Sequence, residues 1–217
     1  MNTQRILSWS AFIIVIGLIV WGMIAASAKE KRESLGIMPV DVVSETDWVK
    51  GATTTGVTMV EYSDFQCPAC AAYFPLIEEV YSKESSNFQF VYRHFPLSQH
   101  ANAIPAAQAA EAAGKQGKFW DMYEKLFTTQ DNWATSTDAK TVFAGYAKDL
   151  ELDITKFETD YSSKEVMAKI DADLKSGLKA GVNSTPSFYI NGKKVNAQTY
   201  EQFKKAIYEA ATSTTNS

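Results

Sequence analysis

Cysteine and histidine are both scarce in this sequence. Its 217 residues include two cysteines, Cys67 and Cys70, and two histidines, His94 and His100, which a predicted loop separates. A structural zinc site usually takes about four protein ligands and a catalytic one about three. The composition therefore disfavours a metal site, although a C-x-x-C pair can form half of one, and we expect no metal.

The sequence also lacks a basic stripe and any internal repeat. Lys and Arg number 21 against 25 Asp and Glu, the formal net charge is −4, and the two signs are interspersed. Proteins that bind nucleic acid usually carry a clustered basic surface. We therefore do not expect nucleic acid among the partners.

One long apolar run is present, at residues 6–28, and no charge interrupts it. A run of about 20 apolar residues is long enough to cross a bilayer, so we predict a membrane anchor over residues 1–28. The alternative is a signal peptide, because Ala26-Ser27-Ala28 has the form of a cleavage site. Both interpretations predict that the remaining chain is extracytoplasmic, either tethered as a single-pass membrane protein or secreted, for example to the periplasm.

The rest of the chain divides into three predicted parts. Residues 29–55 show little periodicity and are predicted as a stalk that ends in a short strand. Residues 56–212 are long enough for one well-cored domain. Residues 213–217 are predicted as a frayed tail.

Hydrophobic periodicity predicts an α/β domain. The predicted elements, in order, are a strand at 58–65, a helix at 68–82, a strand at 88–95, an all-helical block at about 98–181, a strand at 187–190, an Asn191-Gly192 hairpin turn, a strand at 193–195 and a helix at 198–211. A strand, a helix and a strand in this order usually form a βαβ unit with parallel strands. The order β-α-β, helical insertion, β-β-α is thus the predicted fold.

Two features of the helical block carry specific expectations. Asn102 precedes an alanine-rich helix and is predicted to cap it. Val166, Ile170, Leu174 and Leu178 recur every four residues and are predicted to form a core-facing stripe.

The two cysteines form the motif Cys67-Pro68-Ala69-Cys70 at the junction between the first predicted strand and the first predicted helix. Pro68 suits the first helical position. A thiol at a helix N-terminus faces unpaired N–H groups and the positive end of the helix dipole, which favour the thiolate. The motif therefore predicts a thiol–disulfide redox centre. A structural disulfide is the weaker alternative, because closing so short a loop removes little unfolded-state entropy.

Four stretches resemble the DsbA family of bacterial thiol–disulfide oxidoreductases, which have a thioredoxin fold; they lie at residues 61–70, 92–97, 106–120 and 181–188. The resemblance implies that Cys67 is the nucleophile and Cys70 the resolving thiol. It also implies that Pro186 is a cis-proline and that the backbone of Thr185 lies beside the disulfide. From the residues alone, Thr185-Pro186 could equally form an ordinary trans turn.

Glu61 lies six positions before Cys67, where the family often carries an acidic residue beneath the redox centre. If its carboxyl group points inward, burial raises its pKa and lets it exchange protons with Cys70. The alternative is that Glu61 faces solvent on the other side of the strand.

One departure from the family concerns Pro68-Ala69, because strongly oxidising members carry a histidine beside the second cysteine. Its absence implies a smaller depression of the Cys67 pKa and leaves the direction of electron flow open. His94 follows the second predicted strand and is interpreted as structural.

We therefore expect an enzyme that donates disulfides to exported proteins with cysteine pairs, needs no bound cofactor, acts as a monomer and is reoxidised by a membrane redox partner. A reductase or isomerase with the same site is one alternative. A membrane-tethered chaperone or binding module with an inert disulfide is another.

Overall fold

The computed structural model describes residues 40 and 42–214 of the chain. Along these residues run the elements β1 (Trp48–Gly51), β2 (Thr58–Ser63), α1 (Pro68–Glu84), β3 (Gln89–His94), α2 (Ala103–Gly114), α3 (Phe119–Thr128), α4 (Gln130–Trp133), α5 (Ala139–Asp149), α6 (Ile154–Tyr161), α7 (Lys164–Lys179), β4 (Ser187–Ile190), β5 (Lys193–Val195) and α8 (Tyr200–Thr214). The predicted anchor at 1–28 lies outside the described residues. Within them, no helix has the length and apolar character needed to cross a membrane.

The five strands form one sheet in the order β1-β3-β2-β4-β5. β2 and β3 are parallel, as the predicted βαβ unit requires, whereas the other neighbouring strands are antiparallel. The short strand predicted at the end of the stalk segment is β1, and it pairs with β3. The predicted α/β order is confirmed, with β1 added at one edge of the sheet.

The central strand β2 is buried along its whole length. Side chains alternate between the two faces of a strand. Met59 packs in the cluster that also contains residues of α1 and α8, while Val60 and Tyr62 pack in a second cluster on the other face. Glu61 and Ser63 share the face of Met59, so this alternation places both of them on the side of the sheet that α1 covers.

The hairpin turn between β4 and β5 forms as predicted. Asn191 and Gly192 have φ angles of 45° and 74°. The primed turns that join two strands tightly require positive φ at the central residues, and Asn-Gly tolerates it. α8 continues to Thr214 and so enters the segment predicted as a tail.

The prediction that Leu178 belongs to the core stripe of α7 is wrong, because Leu178 is 59% exposed. Successive residues in an α-helix are about 100° apart, so a strict spacing of four drifts by about 40° at each step. The stripe has rotated off the packed face by Leu178. The buried face instead contains Val166, Ile170, Asp173 and Gly177.

The prediction that the Asn102 side chain caps α2 is also wrong. Asn102 does precede α2, but its side chain makes no capping hydrogen bond. The amide donates instead to Trp133 O, Ala134 O and Ser136 O, at 3.0, 3.2 and 2.9 Å. Asn102 therefore ties the start of α2 to the segment that follows α4.

Gly177 allows α7 to approach the sheet closely, because a Cβ atom there would lie 2.6 Å from the Phe95 ring and 3.0 Å from the Tyr62 ring. We expect Gly177→Ala to lower the free energy of unfolding by about 1–2 kcal/mol, since overpacking outweighs the better helix propensity of alanine. Gly145→Ala is the matched control, because Gly145 lies in α5 and a Cβ there meets nothing within 4 Å. It should stabilise by about 0.5–1 kcal/mol. Denaturant unfolding measures both, and equal effects would contradict the close approach.

Candidate active site

Cys67 lies in the loop after β2, directly before α1. Its backbone is extended, with φ −69° and ψ 122°, and Pro68 takes the first helical position. The Cys67 N–H donates to Asp64 O at 3.0 Å, and the Cys67 carbonyl accepts from Ala71 N–H at 3.1 Å. These bonds hold the thiol at the N-terminus of a 17-residue helix, as the sequence predicts.

The two thiols differ in exposure. Both are free rather than joined in a disulfide. Cys67 is 6% exposed and Cys70 is 1% exposed. An incoming sulfur therefore reaches Cys67 more readily than Cys70.

The pKa of Cys67 is lowered from 9.0 to about 5. The largest cause is a hydrogen bond from the Cys70 thiol, which stabilises the thiolate against the opposing effect of burial. The Thr185 side chain and the backbone N–H groups of Ala69 and Cys70 lower the pKa further. No charged side chain is needed, which explains how the Pro68-Ala69 pair, without histidine, still supports a thiolate.

The pKa of Cys70 moves the opposite way, well above 9.0. Burial is the largest cause, followed by the hydrogen bond to Cys67 and the nearby charge of Glu61. Because the thiol of Cys70 must stay protonated to stabilise Cys67, the pair holds one proton near neutral pH. Cys67 is then the thiolate and Cys70 the thiol.

The loop before β4 places Thr185 and Pro186 against this pair. The Thr185–Pro186 peptide bond is cis. The Cys67 Sγ atom lies 3.6 Å from the Thr185 carbonyl oxygen. The structure therefore brings Thr185 and Pro186 to Cys67 and Cys70, although Thr185 follows Cys67 by 118 positions in the chain.

A groove of about 200 Å³ lies beside Pro186. It is lined by Tyr73 of α1, by Ser184 and Ser187 beside the cis-proline, and by Phe188, Lys194, Val195, Asn196, Ala197 and Gln198. Its lining thus reaches Pro186, the residue after Thr185, and includes neither cysteine.

Glu61 is buried on β2, so the alternative that it faces solvent is wrong. Burial raises the pKa of its carboxyl group from 4.5 to about 7, while Ser63 and the charge of Lys50 oppose the rise and Glu78 adds to it. Burial raises the pKa because it disfavours the charged form. A carboxyl group with a pKa near 7 can both accept and release a proton near neutral pH.

Lys50 is the cation whose charge lowers the pKa of this carboxyl group, and it lies among aromatic rings. The Lys50 Nζ atom lies 2.7 Å from Glu78 Oε1. It also lies 4.2 to 5.5 Å from the centroids of four aromatic rings, those of Tyr81, Trp120, Tyr123 and Phe90. A cation over aromatic faces is stabilised by the ring quadrupoles. The charge of Lys50 is thus held mostly out of solvent, since its side chain is 14% exposed.

The helical block supplies side chains that hold the redox loop, and the sequence analysis missed them. Gln130 Nε2 donates to Phe65 O at 2.7 Å and to Cys67 O at 3.1 Å. Gln66 accepts from Asn102 N–H at 2.5 Å and donates to Ala134 O at 2.7 Å. Gln130 follows Cys67 by 63 positions, and no local pattern marks it, so only the tertiary structure reveals its contact.

The two histidines serve other partners. His94 Nε2 lies 2.8 Å from Glu111 Oε1 in the core. His100 Nδ1 lies 2.7 Å from Asp64 Oδ2, beside the redox loop. Among residues 40 and 42–214, no group of three or more His, Cys, Asp and Glu side chains is arranged to hold a metal ion.

Comparisons with known proteins agree with this geometry. A family model described as thioredoxin matches residues 43–209. A thioredoxin-like oxidoreductase from Silicibacter pomeroyi DSS-3 is similar in structure, with a TM-score of 0.67 and 26% identity over 77% of this chain and 93% of the other. The α-DsbA1 protein of Wolbachia pipientis has the same fold, with a TM-score of 0.68 and 23% identity over 79% of this chain and 94% of the other.

Curated relatives with another name also match. An Na(+)/H(+) antiporter, NhaA 1 of Salinispora arenicola, is 34% identical over 174 residues, which are 77% of this chain and 26% of the relative. The chain thus spans about a quarter of the length of the curated relatives it matches. The name antiporter describes those longer proteins as wholes. The similarity to this chain covers only about a quarter of their length.

We expect Cys70→Ala to raise the pKa of Cys67 by about 1–2, because it removes the hydrogen bond that most lowers this pKa, and a hydrogen bond to a charged group contributes about 1.5–3 kcal/mol. The pH dependence of alkylation, or of thiolate ultraviolet absorbance, measures the change. Cys67→Ala is the control, and it should show no thiolate below pH 9, because burial, the largest cause that raises the pKa of Cys70, remains in this variant. A Cys70→Ala protein that still titrates at about 5 would contradict the assignment.

Proposed function

Because this chain belongs to the thioredoxin family and is a thiol–disulfide oxidoreductase with a DsbA-like fold, we propose that it donates disulfides to exported proteins through Cys67 and Cys70. The main support for the proposal is that the pKa values of the two thiols shift in opposite directions. The pKa of Cys67 is lowered to about 5, and that of Cys70 is raised well above 9.0. A thiol of low pKa leaves readily, and a stabilised thiolate favours the reduced form of the enzyme. Both effects favour transfer of the disulfide to a substrate.

The reaction proceeds in two exchanges. A substrate thiolate attacks Cys67 Sγ, the Cys67–Cys70 bond breaks, and its electron pair stays on Cys70, which takes up a proton. A second substrate thiolate then attacks the substrate sulfur of the mixed disulfide and releases Cys67 as a thiolate. The substrate loses two electrons and two protons; one proton remains on Cys70 and the other goes to solvent.

Several contacts support this sequence of steps. The Thr185 carbonyl lies 3.6 Å from Cys67 Sγ, and the next residue, Pro186, lines a groove. An extended substrate segment that binds in this groove would approach the sulfur under attack along the Thr185–Pro186 loop. Glu61 has a pKa of about 7 and lies beneath Cys70, so it supplies the proton that Cys70 needs. Low exposure of Cys70 directs the attack to Cys67.

The partners follow from the same chemistry. Exported proteins with pairs of reduced cysteines are the substrates, and a membrane redox partner reoxidises the dithiol by accepting two electrons. The domain acts as an extracytoplasmic monomer, and residues 1–28 anchor it to the membrane. The chemistry needs no bound cofactor, because the two sulfurs carry both electrons.

We expect Cys67→Ser to abolish oxidation of a peptide that contains two cysteines, because the serine hydroxyl cannot form the mixed disulfide. Peptide oxidation in a glutathione-free assay measures the loss, with wild type and Cys70→Ser as comparisons. A Cys67→Ser protein that still oxidises the peptide would exclude the assignment. If instead wild type shows no oxidase activity and binds unfolded protein as tightly as the Cys67→Ser/Cys70→Ser double variant, the protein is a binding module.

We expect the reduction potential of the pair to lie nearer about −120 mV than about −270 mV. Its pH dependence should change from about −59 to about −30 mV per pH unit as pH rises through about 5, because reduction takes up two protons while Cys67 is protonated and one when it is a thiolate. Equilibration with glutathione measures both, and Glu61→Gln serves as a control that removes the titration of Glu61. A potential near −270 mV would assign the protein to reduction instead.

A further inference from the structure

A tight turn at residues 64–67 leads from β2 to Cys67. The Cys67 N–H donates to Asp64 O at 3.0 Å, which is the bond that closes a β-turn, so Phe65 and Gln66 are its two central residues. The peptide unit between two central residues can face either of two opposite directions, because this orientation is what distinguishes type I from type II turns. The position of Cys67 therefore depends on what fixes this one peptide unit.

Both ends of this peptide unit are hydrogen-bonded to a side chain. Its N–H, from Gln66, donates to Asp64 Oδ1 at 2.8 Å. Its carbonyl, from Phe65, accepts from Gln130 Nε2 at 2.7 Å. Asp64 belongs to the turn itself, whereas Gln130 belongs to α4 in the helical block. A peptide unit that faced the opposite direction would lose both bonds, so the two side chains together hold it in one orientation.

The amide group of Gln130 is used entirely on this loop. Its side chain is buried, and Nε2 also donates to Cys67 O at 3.1 Å. An amide nitrogen carries two hydrogens, so both are accounted for by Phe65 O and Cys67 O. Within the described part of the chain, Phe65 O has no other donor. Loss of the Gln130 amide would thus leave a buried carbonyl unpaired two residues before the nucleophile, which is costly.

The segment that carries Gln130 is itself fixed. Trp133 of α4 is fully buried, and its Nε1 donates to a backbone carbonyl of α3 at 3.0 Å. Asn102 donates to the carbonyls of Trp133 and Ala134, and Gln66 Nε2 donates to Ala134 O at 2.7 Å. The helical block is therefore joined to the turn at two places, through Gln130 and through Ala134.

We propose that Gln130 is a positioning residue for disulfide transfer, because it fixes the turn that presents Cys67 Sγ to the substrate. This inference rests on the proposed function. The Cys67 thiolate is stabilised by the Cys70 thiol and by the backbone N–H groups of Ala69 and Cys70. Hydrogen bonds weaken steeply when their geometry is poor, so these donors act well only on an accurately placed sulfur. A turn without its central support places that sulfur less accurately.

The test compares full-length wild type with Gln130→Met, which keeps a side chain of similar size and removes both hydrogen bonds. We expect about tenfold weaker stabilisation of the thiolate, which raises the pKa of Cys67 by about 1. The equilibrium constant with glutathione should shift about tenfold towards the oxidised protein, or about 30 mV for a two-electron couple. Oxidation of a dithiol peptide should slow at least about tenfold, since small misplacements of reacting groups can cost about 10²-fold. Thiolate absorbance, glutathione equilibration and peptide oxidation measure the three quantities.

Gln108→Met is the matched control. Gln108 also lies in the helical block, and its Nε2 donates to a backbone carbonyl, Tyr161 O, at 3.0 Å, a bond that does not involve the redox loop. This variant should keep the wild-type pKa of Cys67, equilibrium constant and rate. Thermal unfolding checks that each variant is folded, and Gln130→Ala provides the same test if Gln130→Met does not fold.

Two results would overturn the positioning role. One is a folded Gln130→Met or Gln130→Ala protein with the wild-type pKa of Cys67 and the wild-type equilibrium constant. The other is an equal change of both quantities in Gln108→Met, which would make the effect a general response to a weakened helical block. A wild-type protein that fails to oxidise the peptide refutes the proposed function instead, while the pKa and the equilibrium constant still test the role of Gln130.

Discussion

One hydrogen bond, from the thiol of Cys70 to the sulfur of Cys67, organises this site. It is the largest cause that lowers the pKa of Cys67, and it contributes to the raised pKa of Cys70. Two thiolates so close together in a buried site would repel each other, so the pair retains one proton. The helix N-terminus then decides which sulfur is ionised, because the backbone N–H groups of Ala69 and Cys70 point to Cys67. The rest of the site depends on this difference, in which Cys67 is the thiolate and Cys70 the protonated thiol.

The polar groups beneath the thiols extend the same principle into the core. Burial makes each ion costly unless a partner is near. The charge of Lys50 is stabilised by the Glu78 carboxylate at 2.7 Å and by four aromatic rings. Glu61 has no such close partner for its Oε2 atom, and its pKa rises to about 7. A half-buried lysine and a buried glutamate on the same side of the sheet thus differ in how well their charges are stabilised.

Local patterns in the sequence predicted much of the architecture. Alternation identified β3, proline identified the start of α1, and Asn191-Gly192 identified the hairpin, because each signal depends on a few adjacent residues. The prediction at Leu178 was wrong because a strict four-residue spacing drifts around the helix. The prediction at Asn102 was wrong because its side chain bonds to carbonyl groups of a distant segment instead of capping its own helix. Gln130 and Lys50 lay beyond the analysis for a related reason, since each acts on the site from a distant segment. The resemblance to a family supplied the neighbours at Thr185 and Pro186, which spacing alone left open.

The contacts of Gln130 and Gln66 determine whether this redox centre can be transferred to another protein. The tetrapeptide Cys67-Pro68-Ala69-Cys70 is contiguous, yet Gln130 of the helical block holds the carbonyl of Cys67 at 3.1 Å, and Gln66 joins the loop to Asn102 and Ala134. The insertion is therefore part of the scaffold of the loop rather than a separate lid. A graft of the four residues onto another thioredoxin scaffold would transfer the sulfurs without the supports that shape their loop. A transfer that keeps the geometry of the redox loop must therefore include the helical block as well.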